Sequence, residues 1–170
     1  MHASDTLNAN LQSVLVDLID LHVQGKQAHW NVVGTNFRDL HLQLDEIVDD
    51  VREFSDQIAE RMRALEATPD GRAETVTATT RLPHFPAGEV STVDAVSLIT
   101  ERLDTTVANI RAVHDEVDDE DPTSADILHL VIEKLEQYAW MVSAETRTPR
   151  TLTAVSSTSA AAGSRSRDIE

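Results

Sequence analysis

Apolar residues recur every three or four positions along four stretches of the chain, and each stretch ends at residues that break the pattern. Leu7, Leu11, Val14, Leu15, Leu18 and Leu21, with His22 beside them, give one apolar face to a helix from about Thr6 to Trp30. Asn31-Val32-Val33-Gly34 stops it. Leu40, Leu44, Ile47, Val51, Phe54, Ile58, Met62 and Leu65 do the same for a second helix from about Asn36 to Glu66, which Thr68-Pro69-Asp70-Gly71 ends. Residues 72–90 hold Pro83, Pro86 and Gly88 and read as a long loop with room for one short helix. Ser91 then has the place of an N-cap, with Asp94 three residues on. Val96, Ile99, Leu103, Val107, Ile110 and Val113 form the third stripe, which frays near Asp118. Asp121-Pro122 restarts the chain as cap and first helical residue. The fourth stripe is Ile127, Leu128, Val131, Leu135, Tyr138 and Met141, and it ends before Pro149.

Two helical hairpins joined by so long a crossover between helices 2 and 3 predict an all-α fold, a ferritin-like four-helix bundle, over residues 1–146. Residues 147–170 are rich in Ser, Thr and Ala and lack apolar period, so a disordered, flexible C-terminal tail is expected there. Hydrophobic residues make up 41% of the chain but aromatics only 4%, so the core has to be aliphatic. Without cysteine, disulfides and thiolate metal ligands are excluded. The N-terminus lacks a basic region followed by an apolar run, and no apolar stretch approaches the roughly 20 residues that span a bilayer. A soluble, cytoplasmic protein with no membrane partner is expected.

The net charge of −16 bears on partners. Neutralising phosphates takes clustered cations, yet Lys26 and Lys134 are the only lysines and the arginines are scattered. Arg147, Arg150, Arg165 and Arg167 against Asp168 and Glu170 leave the tail at +2, so the rest of the chain carries −18. An acidic body of this kind draws cations.

The second helix carries His41 and Asp45 four apart, then Asp56 and Glu60 four apart. Eleven residues between Asp45 and Asp56 are close to three turns, so all four side chains fall within an arc of about 100° beside the apolar stripe. Within one helix they cannot share a metal: Asp45 and Asp56 lie about 16 Å apart along the axis, against metal–ligand bonds of about 2 Å. Two copies of the helix packed antiparallel about a two-fold axis between Asp50 and Val51 remove the conflict. His41 then faces Glu60, Asp45 faces Asp56, and symmetry creates two identical sites. The same register sets Asp49 opposite Arg52, which is favourable, and Arg38 opposite Arg63, which is not. His29, at the end of the first helix, is placed to supply a second imidazole. Imidazole with carboxylate suits Fe(II), and Mn or Zn less exclusively. No Glu-x-x-His occurs; Asp126-x-x-His129 is the nearest approach.

These residues resemble the DNA-protection-during-starvation (Dps) proteins, the mini-ferritins. The likeness rests on Lys26-Gln27-Ala28-His29-Trp30-Asn31-Val32-Val33-Gly34, on Asn36-Phe37, and on His41, Asp45, Asp56 and Ala59-Glu60-Arg61, and it covers roughly residues 5–146. The resemblance implies a dodecameric cage and a ferroxidase activity that oxidises Fe(II), usually with hydrogen peroxide, while Fe(III) mineral is stored inside. Iron is the only cofactor it implies, with two irons to a site and no organic group. His29, His41 and Asp45 would come from one subunit, and Asp56 and Glu60 from its partner. Many such proteins bind DNA through a Lys-rich N-terminal arm, but residues 1–12 here hold neither Lys nor Arg.

Blander readings stand beside these. Trp30 is either an electron donor near the site or a packing residue, and Trp140 reads as a core or interface anchor. Lys26 either pairs with a site carboxylate or is solvated. The acidic run from Asp115 to Asp121, with Asp126, either lines an iron-entry pore or is a solvated cap. His2, His22, His84, His114 and His129 read as structural or exposed. The alternative function is a nucleoid-associated DNA-binding protein, with its Arg-containing tail on the DNA and a merely structural metal site. A Mn or Zn storage cage without oxidase chemistry is a third.

Overall fold

A computed structural model describes residues 2–149. Its elements, in chain order, are α1 (Asp5–Asn31), β1 (Val32–Val33), α2 (Phe37–Ala64), α3 (Ala73–Thr79), β2 (Val90–Ser91), α4 (Thr92–Glu120) and α5 (Pro122–Ala144). The four long helices are those that the periodicity predicts, with boundaries moved by a residue or two. The expected tail lies outside the described residues from position 150 onward.

Local chemistry sets the helix ends. Ser4 caps α1, its Oγ accepting from the Leu7 N–H, and Ser91 caps α4, its Oγ accepting from the Asp94 N–H. Asp121 occupies the N-cap position of α5 ahead of Pro122, but its side chain makes no capping bond. Its carboxylate is taken instead by Arg61, as described below. The α1–α2 turn closes through Gly34 at φ 127° and Asn36 at φ 60°, both in the left-handed region.

The crossover is more ordered than a loop reading suggests. It holds α3, and its last residues pair in parallel with the end of the first hairpin, Val32 with Val90 and Val33 with Ser91. The crossover therefore leaves α2 at one end of the bundle and returns at the other. Charged side chains pin its path. Asp17, fully buried on α1, accepts from the Arg81 backbone N–H and guanidinium and from Asn109. Arg102, buried on α4, donates to the His84 carbonyl at 2.7 Å and to Gln24 at 2.5 Å. Each buried charge is thus paired or hydrogen-bonded.

The core is aliphatic, as the composition demands. Leu11, Leu18, Leu44, Val51, Ile58, Leu103, Ile110, Leu128 and Leu135 are all at zero exposure or close to it. Burying each contributes about 1.5–3 kcal/mol.

Candidate metal centre

His29 lies in the last turn of α1 and His41 in the second turn of α2, so the tight hairpin brings them together. Their rings stack with centroids 3.7 Å apart and planes 23° apart. The Nδ1–H of His29 donates to the carbonyl of His41 at 2.9 Å, and the Nδ1–H of His41 donates to the carbonyl of His29 at 3.0 Å. A carbonyl only accepts, so each ring must carry its proton on Nδ1. In the neutral ring the lone pair is then on Nε2, which is the tautomer a metal ligand needs. The carbonyl of His29 is among the last of α1 and has no partner further along its own helix, so His41 also caps that end.

Two neighbours make this approach possible. Gly25, one turn before His29, lies so close to α2 that a Cβ there would meet Val48 Cγ2 at 2.8 Å. Phe37, in the first turn of α2, covers His41 with ring centroids 5.0 Å apart. Neither stood out from the sequence as a site residue. The i,i+4 spacing of Phe37 and His41 was the available signal.

Asp45 follows His41 on the same face and accepts a hydrogen bond from the Lys26 ammonium, so Lys26 is paired with Asp45 and not simply solvated. That bond, with the nearby imidazoles adding to it, holds the Asp45 carboxyl below the usual carboxylate range. His29 Nδ1 lies 3.5 Å from Asp45 Oδ1. His29, His41, Asp45 and Lys26 thus form one compact group. Asp56 and Glu60 are exposed on the same helix, about 16 Å further along it in the case of Asp56. Among the described residues no three His, Asp or Glu side chains of one chain are placed to hold a single ion.

The face of α2 next to this group is clarified by its other sides. Val51 is fully buried, and Asp50 turns toward α5, where it accepts from the Tyr138 hydroxyl at 2.7 Å and pairs with Lys134 at 3.4 Å. Asp49 and Arg52 remain exposed. His22 on α1 lies beside them. Partial burial chiefly lowers its pKa, Arg52 and Lys26 lower it further, and Asp49 works the other way. A groove of about 350 Å³ between α1 and α2, lined in part by Ile19, Arg52, Asp56 and Ala59, continues this face.

The remaining candidates fall away from the group or are otherwise engaged. Trp30 is next to His29 in sequence but 69% exposed. Trp140 is 61% exposed, so within one chain it is no core anchor. Asp126 is exposed, with His129 Nδ1 3.9 Å from its Oδ1. The acidic run is neither all solvated nor all free. Glu120 accepts from Ser4, Glu116 accepts from Asn10, and Asp121 is held by Arg61 and Ser124. The N-terminal residues are fastened rather than extended as an arm: His2 pairs with Glu66 at 2.8 Å and the Ala3 N–H donates to Leu65.

A bundle of two helical hairpins with one long crossover and a histidine–carboxylate group at a hairpin turn defines a ferritin-like protein, and a Ferritin-like domain model matches residues 8–151. The "DNA protection during starvation protein 2" of Deinococcus radiodurans is 37% identical over 134 residues, spanning 79% of this chain and 56% of that one. The crystal structure of Dps92 from Deinococcus radiodurans superposes with TM-score 0.81 at 35% identity, covering 85% of this chain and 88% of that one. The structure of Dps from Microbacterium arborescens in the high iron form gives TM-score 0.78 at 31% identity, covering 85% and 97%. The chain belongs to the Dps branch of the ferritin-like family. Iron binding and protection from oxidative damage are properties of that family. Among the described residues no helix is long and apolar enough to cross a membrane.

Proposed function

We propose that this chain is a ferroxidase subunit whose iron site is completed by a second copy across the exposed face of α2. The single observation that carries the reading is the reciprocal bonding of His29 and His41. It commits both Nδ1–H groups to carbonyls and leaves the two Nε2 atoms as the ring positions open to a metal, beside Asp45, whose carboxyl is held below the ordinary range. One chain lacks the rest of the ligand shell, and Asp56 and Glu60 of an antiparallel copy are the groups that the helical register brings opposite. The high iron form of the Microbacterium protein supports iron as the substrate.

Fe(II) is drawn to the acidic exterior and exchanges with the Lys26 ammonium for the Asp45 carboxylate, so one cation replaces another. His29 and His41 contribute their Nε2 lone pairs, and the partner's Asp56 and Glu60 the remaining oxygens. A pair of Fe(II) ions then gives one electron each to hydrogen peroxide, which takes up two protons and leaves as two waters, so no hydroxyl radical is released. Fe(III) hydrolyses and collects within a closed cage, by the resemblance a dodecamer, in the cytoplasm. Where a site holds a single Fe(II), Trp30, exposed next to His29, gives the peroxide its second electron and is itself oxidised by one electron, so that no hydroxyl radical escapes. Asp126 belongs to the acidic approach for Fe(II).

Replacing both His41 and Asp45 with Ala abolishes rapid peroxide-driven oxidation, followed by stopped-flow absorbance of the ferric product, while the particle still assembles. Wild-type rates in that variant overturn the site. Sharing of the site between copies is tested by dissociating and reassembling a mixture of Asp45→Ala and Glu60→Ala cages. Activity returns, because some seams then hold one intact constellation. No recovery, with mixing verified by mass, rules out a split site.

The Deinococcus relative is named for DNA protection, which keeps a DNA-binding reading in view. With His2 and Ala3 fastened to the end of α2, the arginines from Arg147 onward are the route this reading takes. A gel shift at low salt, with and without residues 147–170, decides: no shift in either form removes it.

A further inference from the structure

His22 shares one stripe of α1 with Lys26 and His29, and the iron site does not use it. Lys26 reaches across to Asp45 of α2. The two helices run antiparallel, so His22, one turn back along α1, stands at the level of Asp49 and Arg52, which are exposed. Those two side chains of α2 and Lys26 of its own helix are the charged groups that act on its half-buried ring. The two-fold axis that sets His41 opposite Glu60 passes between Asp50 and Val51, so His22 lies within about one turn of it. In the seam the ring of one copy therefore lies near the ring, the Asp49 and the Arg52 of the other. With His22 neutral, the charges along this stretch balance in each copy, Lys26 and Arg52 against Asp45 and Asp49.

We propose, on the reading of an iron site shared across α2, that His22 is a pH-sensitive switch of that seam: neutral, it lets two copies meet, and protonated, it drives them apart and so dismantles the shared site. Protonating both rings places two uncompensated positive charges at the middle of a surface that the partner has closed to water. In one chain, burial with Arg52 and Lys26 already holds the imidazole below its ordinary value, against the opposing pull of Asp49. Cover by a second copy removes more water from the ring and lowers the value further. A base whose pKa is lower in the assembled form binds fewer protons there, so acid favours the separate chains. The seam is at full strength above the free-chain value and weakens as pH falls below it. Between the two values each pH unit raises the dissociation constant of the seam by up to about tenfold for each ring, about 100-fold for the pair.

The test follows the particle mass of the full-length protein by light scattering from about pH 8 to about pH 5.5, where imidazoles titrate and ordinary carboxylates stay ionised. Wild type shifts to smaller species as the pH falls. His22→Gln, which keeps a neutral polar side chain, stays assembled to lower pH, and the difference between the two curves isolates this ring from the other histidines. His22→Arg carries a fixed charge and is already smaller at the top of the range. Circular dichroism verifies that both variants keep their helices. A His22→Gln midpoint equal to that of wild type overturns the switch. So does a His22→Gln protein that is small at every pH, because the ring is then a packing residue, and so does a His22→Arg protein of full size at the top of the range. Failure of the shared iron site shows elsewhere, as no recovery of Fe(II) oxidation in the mixed Asp45→Ala and Glu60→Ala particles, whose assay does not depend on His22.

Discussion

At residue scale, the histidine–carboxylate group at the α1–α2 hairpin depends on how near two helices come at Gly25. A methyl group there would lie 2.8 Å from Val48 Cγ2, and a β-branched side chain in a helix has almost no other rotamer to retreat to. Gly25→Ala therefore pushes α1 from α2 one turn below His29. It costs about 1–3 kcal/mol of stability, as overpacking does, and it loosens the stacking of His29 on His41. Urea unfolding measures the first effect and the rate of Fe(II) oxidation the second. Combining Gly25→Ala with Val48→Ala restores much of both, because the added methyl then fills the space that Val48 gives up. A double variant no better than Gly25→Ala alone would show that the approach is not what the glycine secures.

At the scale of elements, Arg61 links the end of α2 to the α4–α5 corner. Its guanidinium reaches both Asp121 oxygens, at 2.7 and 2.8 Å, and donates from Nε to Ser124 Oγ at 3.1 Å. Burial is the largest influence on Asp121 and by itself raises its pKa. The bonds from Ser124 and Arg61 together outweigh it and hold the carboxyl below the ordinary range. A depressed carboxylate contributes stability above its unfolded-state pKa, about 3.9, and that contribution is lost as pH falls through the lower folded value. Asp121→Asn should thus destabilise the fold at neutral pH, by an amount approaching the roughly 3–5 kcal/mol of a broken buried pair, with the gap from wild type closing in acid. Arg61→Met with Asp121→Asn should cost less than the two single changes summed. Strict additivity across that cycle would mean that the pair is not coupled.

At the scale of the whole molecule, α2 offers a partner the face that runs through Asp45, Asp49, Arg52 and Asp56, since Val51 is in the core and Asp50 is engaged by α5. If two copies meet there antiparallel, Asp49 of each lies near Arg52 of the other. One such exposed pair contributes only about 0.2–1 kcal/mol, but symmetry repeats it in every seam. Arg52→Glu then sets like charges opposite each other and shifts particles toward smaller species at low salt. Asp49→Arg added to Arg52→Glu returns them to full size. Native mass spectrometry or light scattering reads both steps, and an unaltered particle in the Arg52→Glu protein argues against this register.

The sequence by itself determined the four long helices and the shared face of His41, Asp45, Asp56 and Glu60. Both follow from a fixed rise and a fixed angle per residue, which depend on local spacing alone. It also placed His29 and Lys26 one turn apart at the end of α1. What it left open was set by contacts between segments distant in the chain. The parallel pairing of Val32-Val33 with Val90-Ser91, the capture of Asp121 by Arg61, and the tautomer of His29 and His41 each need a partner that periodicity does not locate. A proton's position on an imidazole depends on which carbonyl comes within hydrogen-bond reach, and only the packed hairpin brings that carbonyl there.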